Sequence, residues 1–578
     1  MFSVSRGVLS TMTLRRFRSS MSRSSRSSRS TGLAHVLLAV VAASSLLLAG
    51  CAASTVDSPG TSDADAGPPV SGGTLRFALL DAPANLDPHS GSSYPESLIT
   101  SNTSDKLTYQ NPETGEIEPW LAKSWDINED LTQFTFHLRD DVTFNDGTTF
   151  DATSVQENFD ILGRGNEALG IPAVTAYWVG YQNTEVIDPY TAKVTFDRPS
   201  AGFLQALSHY FSGIVGHSTL QLNKADRALP QNIVTTGPFT VTEHVYQQKT
   251  VLTKREGYNW APESRAHNGD AYLDKVEIDV IPEASVRTGA LQSGDVDAIL
   301  DVNSTDEAPL TAAGFSIVPQ LIPGRDIAFD FKIDQFPTND QAVREAIKLG
   351  WSRDALNKTV LTDSYKVSTS VLSERVPGWK DYSADLTEDQ DKAKQILEDA
   401  GWKEGADGVR EKDGQKLSVK LLGINNLVIN KPAYELIQQN LEEIGIDLEL
   451  SVLPIPDYTA ASKQQNTWNI TAANTSRGDV SVLEQLYSPL YTNTSRIAQD
   501  NPIYQESVDT LAAVSATLDP AERAEASEAA QDFLLNKYVL SVPVYNPAQV
   551  TAVSPNVHGV EYEAQSRNVF YDTWLEQE

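Results

Sequence analysis

The sequence contains very little cysteine, since Cys51 is the only one among 578 residues. A single cysteine excludes intramolecular disulfides, and the chain after Cys51 has no thiol chemistry at all. That part of the chain must therefore be stabilised by its hydrophobic core. It is long enough to bury a large core and too long for one simple domain.

Sequence motifs of common catalytic sites are also absent. The chain has no His-Glu-x-x-His motif of zinc peptidases, no Gly-x-Ser-x-Gly nucleophile turn and no P-loop. Its eight histidines, from His35 to His558, lack the spacing of metal ligands. A hydrolase needs a nucleophile–base pair or a metal, so we expect a protein that is not an enzyme, without resident cofactor or metal. An exported peptidase is the alternative from another class, and turnover of a peptide library would favour it.

Basic residues are scarce relative to acidic ones. The chain has 45 lysines and arginines against 77 aspartates and glutamates, a formal net charge of −32. Such a charge repels nucleic acid and anionic lipid surfaces, so we expect no nucleic-acid partner.

The first fifty residues have the pattern of a targeting segment rather than of a folded domain. Seven arginines and no acidic residue precede the apolar run 33–49. That run ends in Leu-Ala-Gly-Cys at 48–51, which resembles the lipobox of bacterial lipoproteins. We therefore expect residues 1–50 to be a lipoprotein signal peptide and Cys51 to be the lipid-bearing N-terminus. A membrane-spanning anchor is the alternative, because the run is near the lower length limit for a span.

Residues 51–70 are predicted to be a flexible tether. They are rich in Ala, Ser, Thr, Asp, Gly and Pro, a composition that buries too little apolar surface to order itself. The translation start is left open among Met1, Met12 and Met21.

Residues 119–159 contain the most informative pattern of the chain. Apolar and polar residues alternate over 134–138, as in a half-buried strand, and residues 142–144 are predicted to begin a second short strand. Asn-Asp-Gly at 145–147 is a tight-turn signal. Asp151 is predicted to cap the helix that follows.

The order of motifs in this stretch resembles the signature of the family 5 extracellular solute-binding proteins, the peptide- and nickel-type receptors of ABC importers. The motifs are Leu-Ala-x-Ser-Trp at 121–125, Phe-x-Phe-x-Leu-Arg at 134–139, Phe-x-Asp-Gly at 144–147 and Ala-x-x-Val at 152–155. Further matches to the family lie at residues 73–78, 236–239, 290–297, 392–402 and 556–560.

This resemblance implies an α/β, two-lobed periplasmic-binding-protein-like (Venus flytrap) fold with an extra subdomain in the first lobe. The implied division is 71–325 for lobe I, including the subdomain at about 111–235, then 326–540 for lobe II and 541–578 for a C-terminal return to lobe I.

The resemblance also implies a function. A peptide or peptide-like solute would be captured by lobe closure and delivered to a permease, with ATP hydrolysed by a separate subunit. The receptor would be a monomer at the extracytoplasmic face of the cell membrane, held there by lipid on Cys51. A metal chelate or another anionic small molecule is the alternative ligand. A surface receptor with a signalling or chaperone-like role, without import, is a third option.

The family's dipeptide receptors carry a Trp-x-x-Asp stretch whose carboxylate meets the peptide amine. The matching positions here are Ala473 and Ser476, which argues against a free-amine dipeptide. Arg477 instead offers a planar fork for a carboxylate or phosphate, with Asn474 and Asp479 beside it. A loop salt bridge between Arg477 and Asp479, away from the ligand, is the equally weighted alternative.

Three further ligand-binding candidates are Tyr94, Arg325 and Trp379. The family resemblance places Tyr94 and Arg325 on loops or hinge-proximal strands near the cleft. A purely structural role is the alternative for each of the three.

Overall fold

The computed structural model describes residues 67–576, except residues 91–92, 175–177, 426 and 465. The predicted signal peptide, the predicted lipidation site Cys51 and most of the predicted tether therefore lie outside the described residues. Within the described ranges, no helix combines the length and apolar character that crossing a bilayer requires.

The first lobe is built on a seven-stranded mixed sheet. Its inner strand Thr74–Leu79 runs parallel to both neighbours, Ala298–Leu300 and Lys275–Val280. Leu75 and Phe77 on that strand are fully buried. The strand order is Ser316–Leu321, Ala548–Val553, Ala298–Leu300, Thr74–Leu79, Lys275–Val280, Lys249–Lys254 and Phe239–Val245.

The second lobe is built on a six-stranded sheet. Its strand Gly324–Phe331 is buried along its whole length. Ser418–Ile424 runs parallel to both of its neighbours, and helix Asn430–Glu442 makes the connection to one of them. The strand order is Lys366–Val367, Ser541–Asn546, Gly324–Phe331, Ile470–Ser476, Ser418–Ile424 and Asp447–Leu453.

A four-stranded antiparallel sheet forms within the predicted subdomain. Phe203 sits at the centre of its aromatic core, with ring centroids 5.0 Å from Phe134, 4.7 Å from Phe196 and 5.2 Å from Trp178. The strand order is Ala122–Ile127, Gln133–Leu138, Thr191–Phe196 and Tyr181–Asp188.

The predictions for 119–159 are confirmed except for one strand. The strand Gln133–Leu138 forms, and the Asp151 carboxylate caps helix Ala152–Arg164 by accepting from the amide of Ser154. The prediction of a strand at 142–144 is wrong, because the chain turns directly after Phe144 and leaves only the bridge between Thr143 and Thr149. Gly147 N donates to Phe144 O at 2.9 Å, so these residues form a tight turn with one isolated bridge.

Helices cover the sheets on both lobes. The helices of eight residues or more are Tyr94–Thr103, Ala152–Arg164, Ala284–Ser293, Ser304–Ala312, Gln341–Leu349, Gln390–Asp399, Asn430–Glu442, Ile455–Ser462, Tyr504–Ala512 and Pro520–Asp532. Shorter helices are Phe203–Ala206, His217–Leu220, Lys224–Arg227, Arg353–Thr359 and Val482–Tyr487. Short paired strands are Thr108–Gln110 with Ile117–Pro119, Lys403–Glu404 with Arg410–Lys412 and Gln415–Lys416, Val557–His558 with Trp574–Leu575, and Glu561–Tyr562 with Asn568–Val569.

The chain passes between the two large sheets at two neighbouring points in the described residues. The first lies between Ser316–Leu321 and Gly324–Phe331, and the second is Pro547. These points touch, since Ile322 N donates to Pro547 O at 2.7 Å. Strand Ser541–Asn546 still belongs to the second sheet, so the return to the first sheet falls later than the predicted boundary at 540/541.

Candidate functional site

The first and second lobes contact each other through polar groups. Gln110 Nε2 of the first lobe donates to Gly478 O of the second at 3.1 Å. Arg375 Nη2 of the second lobe donates to Pro112 O of the first at 2.7 Å. These facing surfaces can therefore separate without exposing a continuous apolar core at the points of contact.

A histidine with a low pKa lies at this junction. The His209 ring is fully buried in the first lobe and forms a hydrogen bond with the backbone of Ser476 in the second. Burial, followed by the positive charges of Arg567, Arg477 and Lys106, holds the pKa of His209 well below its ordinary value. The junction therefore contains a neutral imidazole among three cations at neutral pH.

Glutamine side chains join the same junction into a hydrogen-bonded network. Gln110 Oε1 accepts from Gln205 Nε2 at 3.3 Å and from Gln565 Nε2 at 3.2 Å. Ser476 Oγ donates to Gln565 O at 3.4 Å. We call Gln110, His209, Ser476, Arg477, Gln565 and Arg567 the junction cluster.

The predicted site residue Tyr94 lies beside this cluster. Its hydroxyl donates to Asn568 Oδ1 at 2.9 Å. The Arg567 guanidinium lies 5.1 Å from the Tyr94 ring centroid and 4.8 Å from that of Tyr210, and its Nε donates to Ser97 Oγ at 2.7 Å. Arg567 is thus a fixed cation of the first lobe, contributed by the C-terminal segment.

Arg477 lies on the second-lobe side and borders open space between the lobes. Its Nη1 donates to Gln485 Oε1 at 3.2 Å. The space contains about 490 Å³, including the part open to solvent, and is also bordered by Glu484 and Tyr491. Arg198 Nη1 of the first lobe donates to the Tyr491 hydroxyl at 3.0 Å across it.

Asp479 has a partner that the sequence did not indicate. Its Oδ1 lies 2.8 Å from Arg523 Nη2 and accepts from Ser481 N at 2.9 Å. Burial alone would raise the pKa of the Asp479 carboxyl, but the Arg523 and Arg477 guanidinium groups together hold it below its ordinary value. A Cβ on Gly202 of the first lobe would lie only 2.9 Å from this Oδ1, so the lobes approach closely here.

Arg325 is buried inside the second lobe. It forms an ion pair with Asp330, with Nη1 and Oδ2 2.8 Å apart. The other Asp330 oxygen accepts from the Tyr487 hydroxyl at 2.6 Å and from Ser541 Oγ at 2.8 Å. These partners all belong to the second lobe and give Arg325 a structural role in that sheet.

The last two predicted residues are separated in space. Asn474 is half-buried on strand Ile470–Ser476, which leads directly into Arg477. Trp379 packs instead against a separate hydrophobic cluster beside helix Pro520–Asp532. The structure thus places Arg477 and Asp479 at the lobe junction and Tyr94 beside the junction cluster. Asn474 lies on the strand that leads to Arg477, and Trp379 lies elsewhere in the second lobe.

Sequence reasoning did not single out Gln110, His209, Gln565 or Arg567. Glutamine has no distinctive motif, and His209 lies in the segment 160–235, which has no diagnostic sequence motif. Among the described residues, no group of three or more His, Cys, Asp or Glu side chains could hold a metal ion.

The chain matches known protein families over most of its length. Residues 116–496 match the model of bacterial extracellular solute-binding proteins, family 5 Middle. The nickel-binding periplasmic protein of Escherichia coli K12 is 30% identical over 58% of this chain and 63% of its own length. The dipeptide-binding protein of the same strain is 24% identical, with 57% of this chain and 64% of its own length aligned. The chain therefore spans less than two thirds of these two relatives.

Solved structures share the fold. NikA from Brucella suis, in complex with Fe(III)-EDTA, has a TM-score of 0.74 at 22% identity and covers 87% of this chain and 100% of its own. DppA from Helicobacter pylori, an ABC transporter-associated periplasmic binding protein in complex with peptide STSA, has a TM-score of 0.71 at 24% identity and covers 88% and 99%.

These comparisons confirm the predicted two-lobed α/β fold and the predicted family. The relatives are extracytoplasmic solute-binding receptors rather than enzymes, as expected from the absent catalytic motifs. Because the family model covers more than half of the sequence, the chain belongs to the bacterial extracellular solute-binding proteins of family 5.

Proposed function

We propose that this protein is the substrate-binding component of an ABC importer, and that it captures a small solute between its lobes and delivers it to a permease. The proposal is supported by family membership and by relatives whose names refer to binding of nickel, dipeptides and glutathione. A separate ATPase subunit would supply the energy, since the sequence has no P-loop.

The observation that carries this proposal is the construction of the lobe junction. In the described residues the chain passes between the sheets at Ile322–Pro323 and Pro547, which lie side by side. Away from these crossings the lobes meet through side chains such as Gln110 and Arg375. Adjacent crossings act as a hinge, and a ligand that binds better to the closed form shifts the population toward closure.

A peptide or peptide-like solute suits the chemistry of the junction cluster best. Amide groups of Gln110 and Gln565 can both donate to and accept from a peptide backbone. The Arg477 fork matches a carboxylate in a planar, bidentate geometry. Ser476 stands where the family's dipeptide receptors have a carboxylate, which disfavours recognition of a free amine.

A metal chelate or another anionic small molecule is the second candidate. The cations of Arg477, Arg567 and Lys106 surround a neutral His209, which favours anionic ligand groups. The described residues offer no direct metal ligand set, so a metal would have to arrive with its own chelator. The similar structure of NikA from Brucella suis contains a chelated metal of this kind, Fe(III)-EDTA.

We further propose that the receptor is a monomer anchored by lipid on Cys51 at the extracytoplasmic face of the cell membrane. The tether 51–70 would keep it close to its permease and raise its effective concentration there. We propose that lobe I comprises residues 71–321 and 548–578 and that lobe II comprises residues 324–546, with the hinge at 322–323 and Pro547. This division shifts the sequence-based boundaries at 325/326 and 540/541 by a few residues.

Native mass spectrometry of the protein purified from its own host tests the proposal, because a captured solute should be retained unaltered. Removing and restoring that solute should open and close the lobes reversibly, as measured by small-angle X-ray scattering. A protein that retains no solute, or whose scattering profile does not respond to it, would contradict the proposed function. A cleaved product in place of the solute would contradict it as well.

A further inference from the structure

A recess in the first lobe lies next to the junction cluster but is distinct from the space at Arg477. It contains about 580 Å³, including the part open to solvent. It lies between helix Tyr94–Thr103 and the C-terminal segment, and its residues include Lys106, Gln110 and Glu563. None of the residues predicted from the sequence to bind ligand lines it.

Four aromatic side chains line the recess. Tyr109 and Trp120 meet edge to face with ring centroids 5.8 Å apart, and Tyr258 and Tyr571 do so at 5.5 Å. Pro238 and other small apolar residues also line the recess, together with the polar residues Ser101, Asn102 and Ser208. Such a wall suits an apolar, ring-shaped group, since aromatic pairs favour edge-to-face and offset contacts.

A buried cation without a hydrogen bond points into this apolar space. Lys106 is only 3% exposed, and its ammonium lies 5.3 Å from the Trp120 ring centroid. Within the ranges that the structure describes, the ammonium forms no hydrogen bond and no ion pair within 4 Å. Burial lowers the pKa of Lys106, and the nearby carboxylates of Glu563 and Asp105 partly oppose this effect. Leaving a buried ammonium in this condition is costly, and an acceptor oxygen from a ligand would relieve the cost.

The Asp105 carboxylate, which lies beside Lys106, already accepts hydrogen bonds from other side chains. Asp105 accepts from Trp260 Nε1 at 2.8 Å and from the Tyr258 hydroxyl at 3.3 Å. Burial raises the pKa of the Asp105 carboxyl to about 6 despite these hydrogen bonds. The Asp105 carboxylate therefore lies near the charge of Lys106, but its oxygens are already engaged and are not available to a ligand.

The other charged groups of the recess are engaged as well. Glu563 accepts from the backbone amides of Gln565 at 2.9 Å and Arg567 at 3.0 Å. Arg265 forms an ion pair with Asp572 at 2.8 Å. Lys106 is thus the charged group of the recess whose hydrogen-bonding capacity is unused.

The recess is coupled to the lobe junction through Gln110. This side chain lines the recess and also donates to Gly478 O of the second lobe. Its Oε1 is held by Gln565, which itself contacts Ser476 of the second lobe. A group placed in the recess would therefore lie directly beside the surfaces that meet on closure.

We propose that this recess is a side pocket for one ring-sized apolar group of the captured solute, and that Lys106 donates a hydrogen bond to a carboxylate oxygen attached close to that group. The proposal rests on the proposed function and narrows its substrate class to solutes that join an aromatic group and an acidic group. The Lys106 ammonium is the anchor and the tyrosine and tryptophan rings are the walls.

The test uses 3-phenylpropionate and its amine counterpart 3-phenylpropylamine as probes of the full-length chain, with binding measured by titration calorimetry and ligand-observed NMR. We expect the acid to bind at least tenfold more tightly than the amine. Lys106→Met, which keeps the aliphatic stem, should weaken the acid at least tenfold. Ala564→Leu should weaken it by filling the recess without changing charge.

Lys332→Met is the matched control, because Lys332 is a buried lysine of the second lobe whose ammonium already donates to Thr471 Oγ1 at 2.9 Å. This variant should leave binding of 3-phenylpropionate unchanged. Far-UV circular dichroism of each variant checks folding, and Ala564→Leu keeps the test valid if Lys106→Met fails to fold.

The two proposals fail in different ways. In one outcome, the host solute is retained and closes the lobes while the affinity for 3-phenylpropionate is the same in wild type, Lys106→Met and Ala564→Leu. That result overturns the side pocket and leaves the receptor function standing. Equal or tighter binding of the amine overturns the side pocket too. If the acid binds through Lys106 but no solute closes the lobes, the recess is not part of solute capture and both proposals fall.

Discussion

Two arginines of the second lobe, Arg325 and Arg477, are equally buried yet differently surrounded. Each has a side chain about 5% exposed, and each was a sequence-based candidate for ligand binding. Arg325 is paired with Asp330 inside one lobe. Arg477 borders open space between the lobes, donates to Gln485 and shares the charge of the Asp479 carboxylate with Arg523.

The comparison shows that burial alone does not identify a ligand-binding arginine. A guanidinium whose charge is balanced by a buried carboxylate is committed to the fold. Arg477 shares the Asp479 carboxylate with Arg523, so two guanidinium groups face one carboxylate, and an anionic group of a ligand would be favoured there. The partners of an arginine, rather than its exposure, therefore separate structure from function here.

Substitution of Arg325 should give the largest effect on stability. Arg325→Met leaves the Asp330 carboxylate buried without its cation, which we expect to lower the free energy of unfolding by roughly 3–5 kcal/mol. Urea unfolding monitored by tryptophan fluorescence measures this loss. The double variant Arg325→Met/Asp330→Leu should recover much of it, and a single variant as stable as wild type would show that the pair is not structural.

Substitution of Arg477 should weaken ligand binding much more than it lowers stability. Arg477→Ala removes a charged donor from the lobe junction, and we expect the solute recovered from the host to bind roughly 10- to 100-fold more weakly, about 1.5–3 kcal/mol. Stability should change by less than about 1 kcal/mol, because Asp479 keeps its ion pair with Arg523 when Arg477 is removed. Calorimetric titration measures the affinity, and Arg477→Lys should recover only part of it since the planar fork is lost. Unchanged affinity would remove Arg477 from the site.

Closure of the lobes near Arg477 can be tested with a substitution whose expected effect is smaller. A Cβ at Gly202 would meet Ser481 Oγ at 2.7 Å and Asp479 Oδ1 at 2.9 Å, both across the junction. Gly202→Ala should therefore shift the protein toward the open form and weaken solute binding about tenfold, roughly 1.4 kcal/mol. Small-angle scattering measures the opening. Gly289→Ala, where a Cβ meets nothing within 4 Å, is the control and should leave closure unchanged.

The sequence predicted local structure and family well, and it predicted side-chain partners poorly. Asp151 was expected to cap a helix and does so, because capping depends on a few neighbouring residues. Arg477 was expected near the ligand from its position in a family stretch. Its neighbour Asp479 pairs with Arg523, which lies 44 residues further along the chain. No local pattern encodes such a distant contact.

The same limit explains why the junction cluster was missed. Arg567 reaches Ser97 across 470 residues of sequence, and Gln565 reaches Gln110 across 455. These contacts arise because the C-terminal segment returns to the first lobe after Pro547, a fact of topology rather than of composition.

The smallest effect is expected at Asp326, directly beside Arg325. Asp326 accepts from Ser368, its Oδ1 has no partner among the described residues, and burial raises the pKa of its carboxyl well above the ordinary value. The folded state therefore keeps this proton at pH values where the unfolded chain, with an ordinary pKa near 4, has released it. Its contribution to stability is greatest below about pH 4 and decreases as the pH rises through the raised folded pKa.

Asp326→Asn, which cannot ionise, should lack this decrease. The stability of the variant relative to wild type should therefore grow as the pH rises from about 4 toward 8. Urea unfolding at several pH values measures the trend, with Asp381→Asn as an exposed control whose pKa shift has the opposite direction, lowered by a hydrogen bond from the Ser383 backbone. Parallel curves for wild type and Asp326→Asn would mean that Arg325 balances both carboxylates and that its neighbourhood is more fully paired than its contacts indicate.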